Sequence, residues 1–364
     1  MPKYNTKELL LIWLDSFTEL SYGEKVSLYE ALEGTESIKR FLLDSGKTVS
    51  EKLKEKFAAL SKGADNSYLQ SVLNELDDMG ITAVTMVSDR YPEELKLIET
   101  KPLILYCKGN IELLKNKKFA IVGSRKSLPL SIELAKRYAK AAADCGFTLV
   151  TGIADGVDSA VIESALLNKN DVISVFAGGL TDVYPKVNAN LAEKLASSGL
   201  TVSEYPPSVS AQRFRFPLRN RIIAALSKGV LIVSGGEKSG TLYTGEYAME
   251  FGKDVFAIPY SVGVPSGKTP NYFIKHGAYL TDDPQDIYDF YGVQTKTDEV
   301  ALSGDEKQII LAIGEGINHV ERIAERLSKQ TYEIMPILSM LEIKGQIIQS
   351  GANKYSLIKT ILEE

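Results

Sequence analysis

The chain has 364 residues, of which 44% are hydrophobic and 24% are charged, and its net charge is -5. This size predicts two or three domains, and the composition is typical of a soluble globular protein. A negative net charge argues against a broadly basic nucleic-acid binder, unless the positive charge is concentrated in one place.

Membrane and metal functions are not favoured by the sequence. No apolar run approaches the roughly 18 residues of a membrane span, and the N-terminus lacks the profile of a signal peptide, so we expect a cytoplasmic protein. The two cysteines and two histidines lack a metal-ligand spacing. We therefore expect no metal and no cofactor; a magnesium site made of carboxylates alone is the alternative.

Residues 1–80 are predicted to form a small helical domain. Apolar residues at positions 9–14 indicate its first helix, and residues 21–23 are predicted to form a turn. Further helices are predicted over residues 38–43 and 68–76, and Gly80 is predicted to end the last of them. A strand over residues 81–87 then begins the next domain.

Residues 81–292 are predicted to form an extended Rossmann-like domain, because strands and helices alternate from residue 118 onward. Strands are predicted over residues 118–122, 147–151, 172–177, 201–203, 229–234 and 255–258, and helices over residues 130–145, 157–167, 188–197, 219–226 and 241–251. Short apolar strands separated by helices predict a parallel sheet covered on both faces.

The C-terminal region, residues 300–364, is predicted to be a winged helix. Residues 282–305 are polar and are predicted to be a linker; helices then precede two short strands separated by residues 351–353. The predicted recognition helix, residues 332–343, carries Glu333 and Glu342 and no basic residue. A helix that reads DNA is normally basic, so this module is predicted to bind protein or to regulate.

The first strand-to-helix turn of the Rossmann-like domain is Gly123-Ser124-Arg125, which we predict holds a phosphate group. Backbone N–H groups at this point of an open α/β sheet favour anions, serine adds a donor, and arginine adds a bidentate cation. The alternative is that the glycine serves turn geometry alone. A dinucleotide is disfavoured, because the dinucleotide-binding sequence motif requires three spaced glycines and only Gly123 is present.

The segment from residue 212 to residue 221 is the strongest functional signal. Residues 205–236 contain four arginines and Lys228 but no acid, a local charge of +5. Arginines interleaved with aromatic residues are typical of single-stranded nucleic-acid binding, where cations follow phosphates and rings stack on bases. Its candidate binding residues are Arg215, Phe216, Arg219, Asn220 and Arg221. Alternatively, these arginines pair with carboxylates or anchor a dimer.

Two further segments are expected at the same edge of the sheet. Ser239, Gly240 and Thr241 follow a strand and begin a helix, so they offer either anion donors or an ordinary helix cap. Lys186 follows another strand and either joins the basic crevice or is a solvated surface lysine. No catalytic residue is predicted.

Together these segments resemble the DprA (Smf) family of bacterial DNA-processing proteins, collinearly from about residue 84 to residue 281. The matching stretches are Tyr91-Pro92-Glu93-Glu94-Leu95, Leu105-Tyr106-Cys107-Lys108-Gly109-Asn110, Ile121-Val122-Gly123-Ser124-Arg125, Gly152-Ile153-Ala154-Asp155-Gly156-Val157-Asp158, Tyr184-Pro185-Lys186, Ser203-Glu204-Tyr205-Pro206, Phe216 with Arg219-Asn220-Arg221-Ile222-Ile223, Ser239-Gly240-Thr241-Leu242 and Val255-Phe256-Ala257-Ile258-Pro259. The flanking regions resemble the family's SAM-like helical domain and winged helix.

The resemblance implies single-stranded DNA binding, dimerisation through the Rossmann-like domain and loading of the RecA recombinase during natural transformation. It implies that Gly123, Ser124 and Arg125 hold a DNA phosphate, and that Lys186, Arg219, Arg221, Ser239 and Gly240 line the same basic pocket. Phe216 either stacks on a base or packs. The chain departs from the family pattern at Asp155, Val161, Arg215 and Tyr260, which bears on transformation as the biological role more than on DNA binding.

An enzyme is the alternative. Gly235-Gly236, Gly240-Thr241 and Glu246 are similar to the Gly-Gly-x-Gly-Thr-x-x-Glu motif of LOG-type nucleotide phosphoribohydrolases, but the spacing here is longer by two residues and then by two more. This difference moves Glu246 around its helix. A third interpretation is a pocket that senses a nucleotide without turning it over.

Overall fold

The computed structural model describes residues 3–32, 49–62, 65–293 and 302–358. The chain divides into two compact units, residues 1–282 and residues 283–364. The helix predicted over residues 38–43 lies outside the described residues. Among the helices that the structure describes, none combines the length and apolar character needed to cross a bilayer.

The described N-terminal helices are α1 (Thr6–Asp15), α2 (Tyr22–Leu32), α3 (Glu51–Leu60) and α4 (Asn66–Asp78). The turn predicted at residues 21–23 is wrong, because α2 already begins at Tyr22. Ser21 precedes it, accepting from the Glu24 N–H at 3.4 Å, while the Ser21 N–H donates to the Glu24 carboxylate at 2.7 Å. This reciprocal pair is a capping box, which begins a helix rather than a turn.

Nine strands of the described residues form one sheet in the order β1-β2-β6-β5-β4-β3-β7-β8-β9. The strands are β1 (Thr82–Thr85), β2 (Ile104–Gly109), β3 (Lys118–Val122), β4 (Thr148–Thr151), β5 (Val172–Phe176), β6 (Leu200–Ser203), β7 (Gly229–Ile232), β8 (Asp254–Ala257) and β9 (Tyr279–Leu280). The sheet is parallel from β6 to β9, as predicted, whereas β2 pairs antiparallel with both β1 and β6. Strands β2 and β9 were not predicted.

The helices of this unit follow the strands in alternation. They are α5 (Glu93–Lys96), α6 (Pro129–Asp144), α7 (Val157–Leu167), α8 (Ala189–Ser198), α9 (Arg215–Leu226), α10 (Gly240–Glu250) and α11 (Lys268–Lys275). Helix α9 begins four residues before the predicted Arg219, with Pro217 in its first turn. Proline is tolerated there because the first N–H groups of a helix have no partner within the helix.

Alternate residues of the central strands pack on opposite faces of the sheet. Ala120 and Val122 of β3 join the apolar core that contains Ile222 and Ile223 of α9. Phe119, which belongs to the alternate set of β3 residues, contacts Phe147 and Phe256, and the ring centroids are 5.7 and 5.8 Å apart. Burial of both faces explains why these strands read as continuous apolar runs.

Strand β3 is the point at which the strand order changes direction. It lies between β4 and β7, and the chain passes to β4 on one side and later to β7 on the other. In open parallel sheets, a crevice forms outside the carboxyl ends of the strands at such a switch point. The segments that follow β3 and β7 therefore face the same crevice.

The second unit is a winged helix, as predicted. It contains α12 (Gln285–Tyr291), α13 (Gly304–Gly314), α14 (Val320–Arg326), α15 (Thr331–Ile343), β10 (Ile347–Gly351) and β11 (Lys354–Leu357), with β10 and β11 antiparallel. The prediction of a linker over residues 282–305 is wrong for α12. The Gln285 N–H donates to the Asp283 carboxylate at 2.8 Å, and Ile287 is fully buried. Polar residues here belong to a helix start.

Candidate functional site

A cavity of about 380 Å³ lies beyond the carboxyl ends of β3 and β7. Its lining residues are Val122, Gly123, Ser124, Arg125, Lys126, Ala154, Asp158, Phe216, Arg219, Asn220, Ile223, Ser239, Gly240, Thr241 and Thr244. We call it the switch-point cavity. The structure thus brings together nine of the twelve residues that the sequence predicts for a phosphate site, whereas Lys186, Arg215 and Arg221 lie elsewhere.

The Gly123-Ser124-Arg125 turn is held in place by hydrogen bonds among three serines. The Ser124 N–H donates to Ser234 Oγ at 3.1 Å, and Ser127 Oγ contacts both the Ser124 carbonyl and Ser234 Oγ at 2.9 Å. The Ser124 N–H is therefore engaged within the protein, and α6 begins only at Pro129. The expectation that backbone N–H groups of this turn favour an anion is therefore wrong for Ser124. The Arg125 side chain remains exposed at the cavity.

The helix N-terminus that lines the cavity is instead that of α10. Ser239 caps it by accepting from the Thr241 N–H at 3.2 Å, and Asn220 donates to the Gly240 carbonyl at 3.0 Å. Gly240 lies on the surface of the cavity, where an added Cβ would have its nearest contact 4.0 Å away. The eleven-residue helix α10 adds the positive end of its dipole at this place. Ser239 is thus a helix cap, and the helix end it caps faces the cavity.

A buried cation and a buried carboxylate lie under the cavity. Arg219 is 5% exposed and donates to the Val175 carbonyl and, at 3.1 Å, to the Asn220 side-chain oxygen. Burial lowers the pKa of Arg219 to about 10, against the opposing effect of Asp158. Burial likewise raises the pKa of Asp158, and Arg219 opposes that change. Arg219 therefore remains charged at neutral pH and contributes a fixed positive charge to the floor of the cavity.

Arg125, Phe216 and Tyr184 form a ladder at the mouth of the cavity. The Arg125 guanidinium carbon lies 4.8 Å from the centroid of the half-buried Phe216 ring. The Tyr184 ring meets Phe216 edge-on, with centroids 5.8 Å apart, and Tyr184 is 50% exposed. A guanidinium over a ring face is a favourable cation–π arrangement, and exposed rings beside cations are a platform on which flat groups stack.

Three predicted residues lie outside the switch-point cavity. Lys186 is exposed and paired with Asp182 at 2.6 Å. Arg221 is buried and paired with Glu204 at 2.5 Å, and Arg215 lies over the Tyr205 ring at 4.5 Å. The single basic crevice expected for the arginine segment is therefore wrong. At 100° per residue, Arg219 and Arg221 point to nearly opposite sides of α9.

The sequence did not identify four residues of this site that carry a polar group. Asp158 lines the cavity, and its carboxylate accepts from the Ala154 N–H at 3.3 Å. Lys126 and Thr244 also line it, and Tyr184 completes the ladder. Signals were available for two of them: Lys126 directly follows Arg125, and Thr244 follows Thr241 by one helical turn.

Glu246, the residue on which the enzyme alternative depends, does not line the cavity. It is exposed on α10, whereas Thr241 and Thr244 of the same helix are buried and line the cavity. A separation of two or five residues on a helix places Glu246 on a different face from both threonines. Within the described residues, no three His, Cys, Asp or Glu side chains come together as metal ligands.

Two family models match the chain. The model described as DNA recombination-mediator protein A matches residues 82–292, and that of the DprA winged helix domain matches residues 293–353. The DNA processing protein DprA of Bacillus subtilis (strain 168) is 36% identical over 237 residues, 64% of this chain and 80% of that protein. Protein Smf of Escherichia coli (strain K12) is 32% identical over 273 residues, 71% of this chain and 73% of that protein.

Two solved structures are similar to the chain. The X-ray structure of DNA processing protein A from Streptococcus pneumoniae superposes with a TM-score of 0.60 at 29% identity, covering 79% of this chain and 94% of that one. The Helicobacter pylori DNA processing protein A, solved in a study of its single-stranded DNA binding mode, gives a TM-score of 0.54 at 28% identity. It covers 59% of this chain and 97% of its own.

Proposed function

Since this chain belongs to the DNA recombination-mediator protein A (DprA/Smf) family, we propose that its switch-point cavity binds the phosphate backbone of single-stranded DNA. The observation that carries the proposal is the meeting of Arg125, Lys126, Arg219 and the N-terminus of α10 in one cavity. Asp158 is the one acidic residue among the lining residues, and it is buried. This charge arrangement favours a polyanion.

The ladder at the cavity mouth supports a single strand rather than a duplex. Unpaired bases expose their faces, and stacking on aromatic side chains tolerates every base. Phe216 and Tyr184 offer such faces beside Arg125, so a strand whose phosphate enters the cavity can place its next base on the rings. The relative from Helicobacter pylori, whose single-stranded DNA binding has been studied, supports the same assignment.

Lys186 is retained in the proposal as an outer contact. It lies two residues after Tyr184, and its exposed ion pair with Asp182 is of the kind that contributes little stability. A DNA phosphate that lies beyond the ladder can therefore replace Asp182 as the ion-pair partner of Lys186. Arg215 and Arg221, by contrast, have no place in this phosphate path, because they line a different cavity.

We further propose that the DNA-bound protein loads a RecA-type recombinase, as a homodimer, during recombination and natural transformation. Family membership supports the proposed loading of a recombinase. Of the departures from the family pattern, Asp155 is exposed, Val161 is buried, and Tyr260 donates to the Val233 carbonyl at 2.9 Å. None of the three lines the switch-point cavity, so they leave the phosphate site intact.

The winged helix is proposed to contact protein rather than DNA. Along the solvent-facing side of α15, Tyr332, Met335 and Ile343 are 75%, 40% and 79% exposed. An apolar face without a basic residue gives no attraction to phosphates but suits a protein surface.

The test is a salt-dependent titration of a fluorescent thymidine oligonucleotide with the wild type, Arg125→Ala and the control Arg90→Ala. Arg90 is an exposed arginine beyond β1, at the far edge of the sheet. We expect Arg125→Ala to weaken binding by roughly tenfold or more and to reduce the salt slope by about 0.7, the contribution of one phosphate contact on a single strand. Arg90→Ala should bind like the wild type.

Binding that does not depend on salt, or equal losses in both variants, would overturn the proposal. Recombinase loading is tested separately by a pull-down with a purified RecA-type protein, and the dimer by light scattering. A wild type that binds DNA but not the recombinase would leave the phosphate site standing and remove the proposed output.

A further inference from the structure

A second cavity, of about 400 Å³, lies on the other side of α9. Leu218 and Arg221 of α9 line it, together with α1, α2 and the segment that follows β6. We call it the inter-helical cavity. Helix α9 is thus a wall shared by two cavities, with Phe216 and Arg219 facing the first one and Leu218 and Arg221 facing the second.

Aromatic rings line the inter-helical cavity. Tyr22 and Phe214 are 39% and 59% exposed, and Tyr205 carries the Arg215 guanidinium 4.5 Å above its ring. Arg215 lies 5.5 Å from the Phe214 ring as well. A volume in this range with apolar and aromatic walls and a few polar groups is typical of small-molecule sites, and flat rings bind flat ligands.

Two buried donors that belong to residues lining this cavity lack a hydrogen-bond partner among the described residues. Arg221 is 6% exposed, and its Nη2 donates to Glu204 at 2.5 Å, but its Nη1 makes no hydrogen bond. The Nε of Arg215 is also buried without a partner. Asp15, on the same wall, is by contrast satisfied by Lys25 and Tyr106 at 2.7 Å each. Buried donors normally have acceptors, so an acceptor from a ligand is the expected partner.

We propose that the inter-helical cavity binds a nucleobase that carries an amino group beside a ring acceptor. Its ring would stack against the exposed Phe214 ring, its acceptor would receive a hydrogen bond from Arg221, and its amino group would donate to Glu204. Carboxylates accept from exocyclic amino groups of bases, and guanidinium groups donate to ring acceptors. A free phosphate is disfavoured because Lys25 and Arg221 are already paired with Asp15 and Glu204, which face the same space.

The base has two sources with the same chemistry: the bound DNA strand or a free nucleotide. The DNA source rests on the proposed function of the switch-point cavity. It is supported by the order of residues, because Phe214 and Phe216 are two residues apart at the start of α9 and line the two different cavities. A strand crossing this helix start would present one base to each side.

The test uses the full chain with 2-aminopurine deoxyriboside, a fluorescent base that has an amino group next to a ring nitrogen. A second probe is a thymidine oligonucleotide with one central 2-aminopurine. Leu218→Trp enlarges a cavity-lining side chain that is 42% exposed, and Phe214→Ala removes an exposed ring, so neither disturbs the core. Tyr243→Ala, which removes a 46% exposed ring outside both cavities, is the matched control.

We expect the wild type and Tyr243→Ala to bind and quench the deoxyriboside. Phe214→Ala and Leu218→Trp should bind it about fivefold more weakly or not at all. Arg125→Ala should keep this binding, because the phosphate site is not involved. If DNA is the source, the same two variants will also lose quenching of the base within the oligonucleotide.

Two outcomes would overturn the assignment. One is deoxyriboside binding that is lost in Arg125→Ala but kept in Leu218→Trp, which would place the base in the switch-point cavity. The other is absence of deoxyriboside binding by the wild type together with oligonucleotide quenching that is the same in all variants. If the oligonucleotide fails to bind while the deoxyriboside binds, the proposed DNA function fails and the inter-helical site, with a free nucleotide, stands.

Discussion

Replacing Gly240 by alanine is expected to separate the proposed DNA binding from folding. The added Cβ would have Asn220 Nδ2 as its nearest neighbour at 4.0 Å, an ordinary van der Waals distance. Gly240 is not among the glycines with positive φ, and it is the first residue of α10. Alanine should therefore leave the free energy of unfolding unchanged or raise it by up to about 1 kcal/mol.

The same methyl group stands on the surface of the switch-point cavity, at the helix N-terminus that a phosphate would approach. If the phosphate loses one charge-assisted hydrogen bond there, the loss is about 1.5–3 kcal/mol. This corresponds to a roughly 10- to 150-fold higher Kd for single-stranded DNA. The expected variant is thus as stable as the wild type but clearly weaker in binding.

The assay pairs fluorescence anisotropy of a labelled thymidine oligonucleotide with thermal unfolding of the same samples. Gly236→Ala is the matched control, because its added Cβ is 3.9 Å from the Pro265 carbonyl and Gly236 does not line the cavity. Gly236→Ala should match the wild type in both Tm and Kd. Unchanged DNA affinity in Gly240→Ala would refute the placement of the phosphate at this helix end, and a lowered Tm would refute the packing argument.

Three further predictions follow from the described contacts. Gly123→Ala places a Cβ 2.4 Å from Val157 Cγ2, so it should lower the free energy of unfolding by about 1–3 kcal/mol. A double variant that also carries Val157→Ala should regain part of this free energy. Both values are measured by urea unfolding. Glu246→Gln should leave DNA affinity unchanged; release of free base by the wild type and not by this variant would favour the enzyme alternative. The Lys344 ammonium and backbone capping lower the pKa of Glu306, so its stabilisation is present above the ordinary glutamate range and is lost as the pH falls through the lowered value. Amide protection over α13, taken relative to the intrinsic exchange rate at each pH, should fall in that window, and less so in Glu306→Gln; an identical pH response in the variant would contradict the role of this pair.

Most elements of the α/β region could be predicted from the sequence because both faces of the central strands are buried. Strand β3 and helix α7 agree with their predicted bounds, since apolar runs and turn residues carry that information locally. Strand β2 and the two-residue β9 were missed, because edge and antiparallel positions depend on which neighbours they meet. The capping pair at Ser21 and the helix α12 show that polar residues were misinterpreted as turns or linkers.

The sequence alone determined the fold class, the presence of Gly123-Ser124-Arg125 directly after a strand, and the concentration of positive charge in residues 205–236. These are local properties of the amino-acid composition and of the spacing of apolar residues along the chain. Only the tertiary structure decided how that charge is divided. Because of the helical period of α9, Arg219 lines one cavity and Arg221 another, and the chain that follows β7 brings Gly240 to the same cavity as Arg125. Neighbours that are far apart in sequence meet because the strand order reverses at β3, which no local pattern encodes.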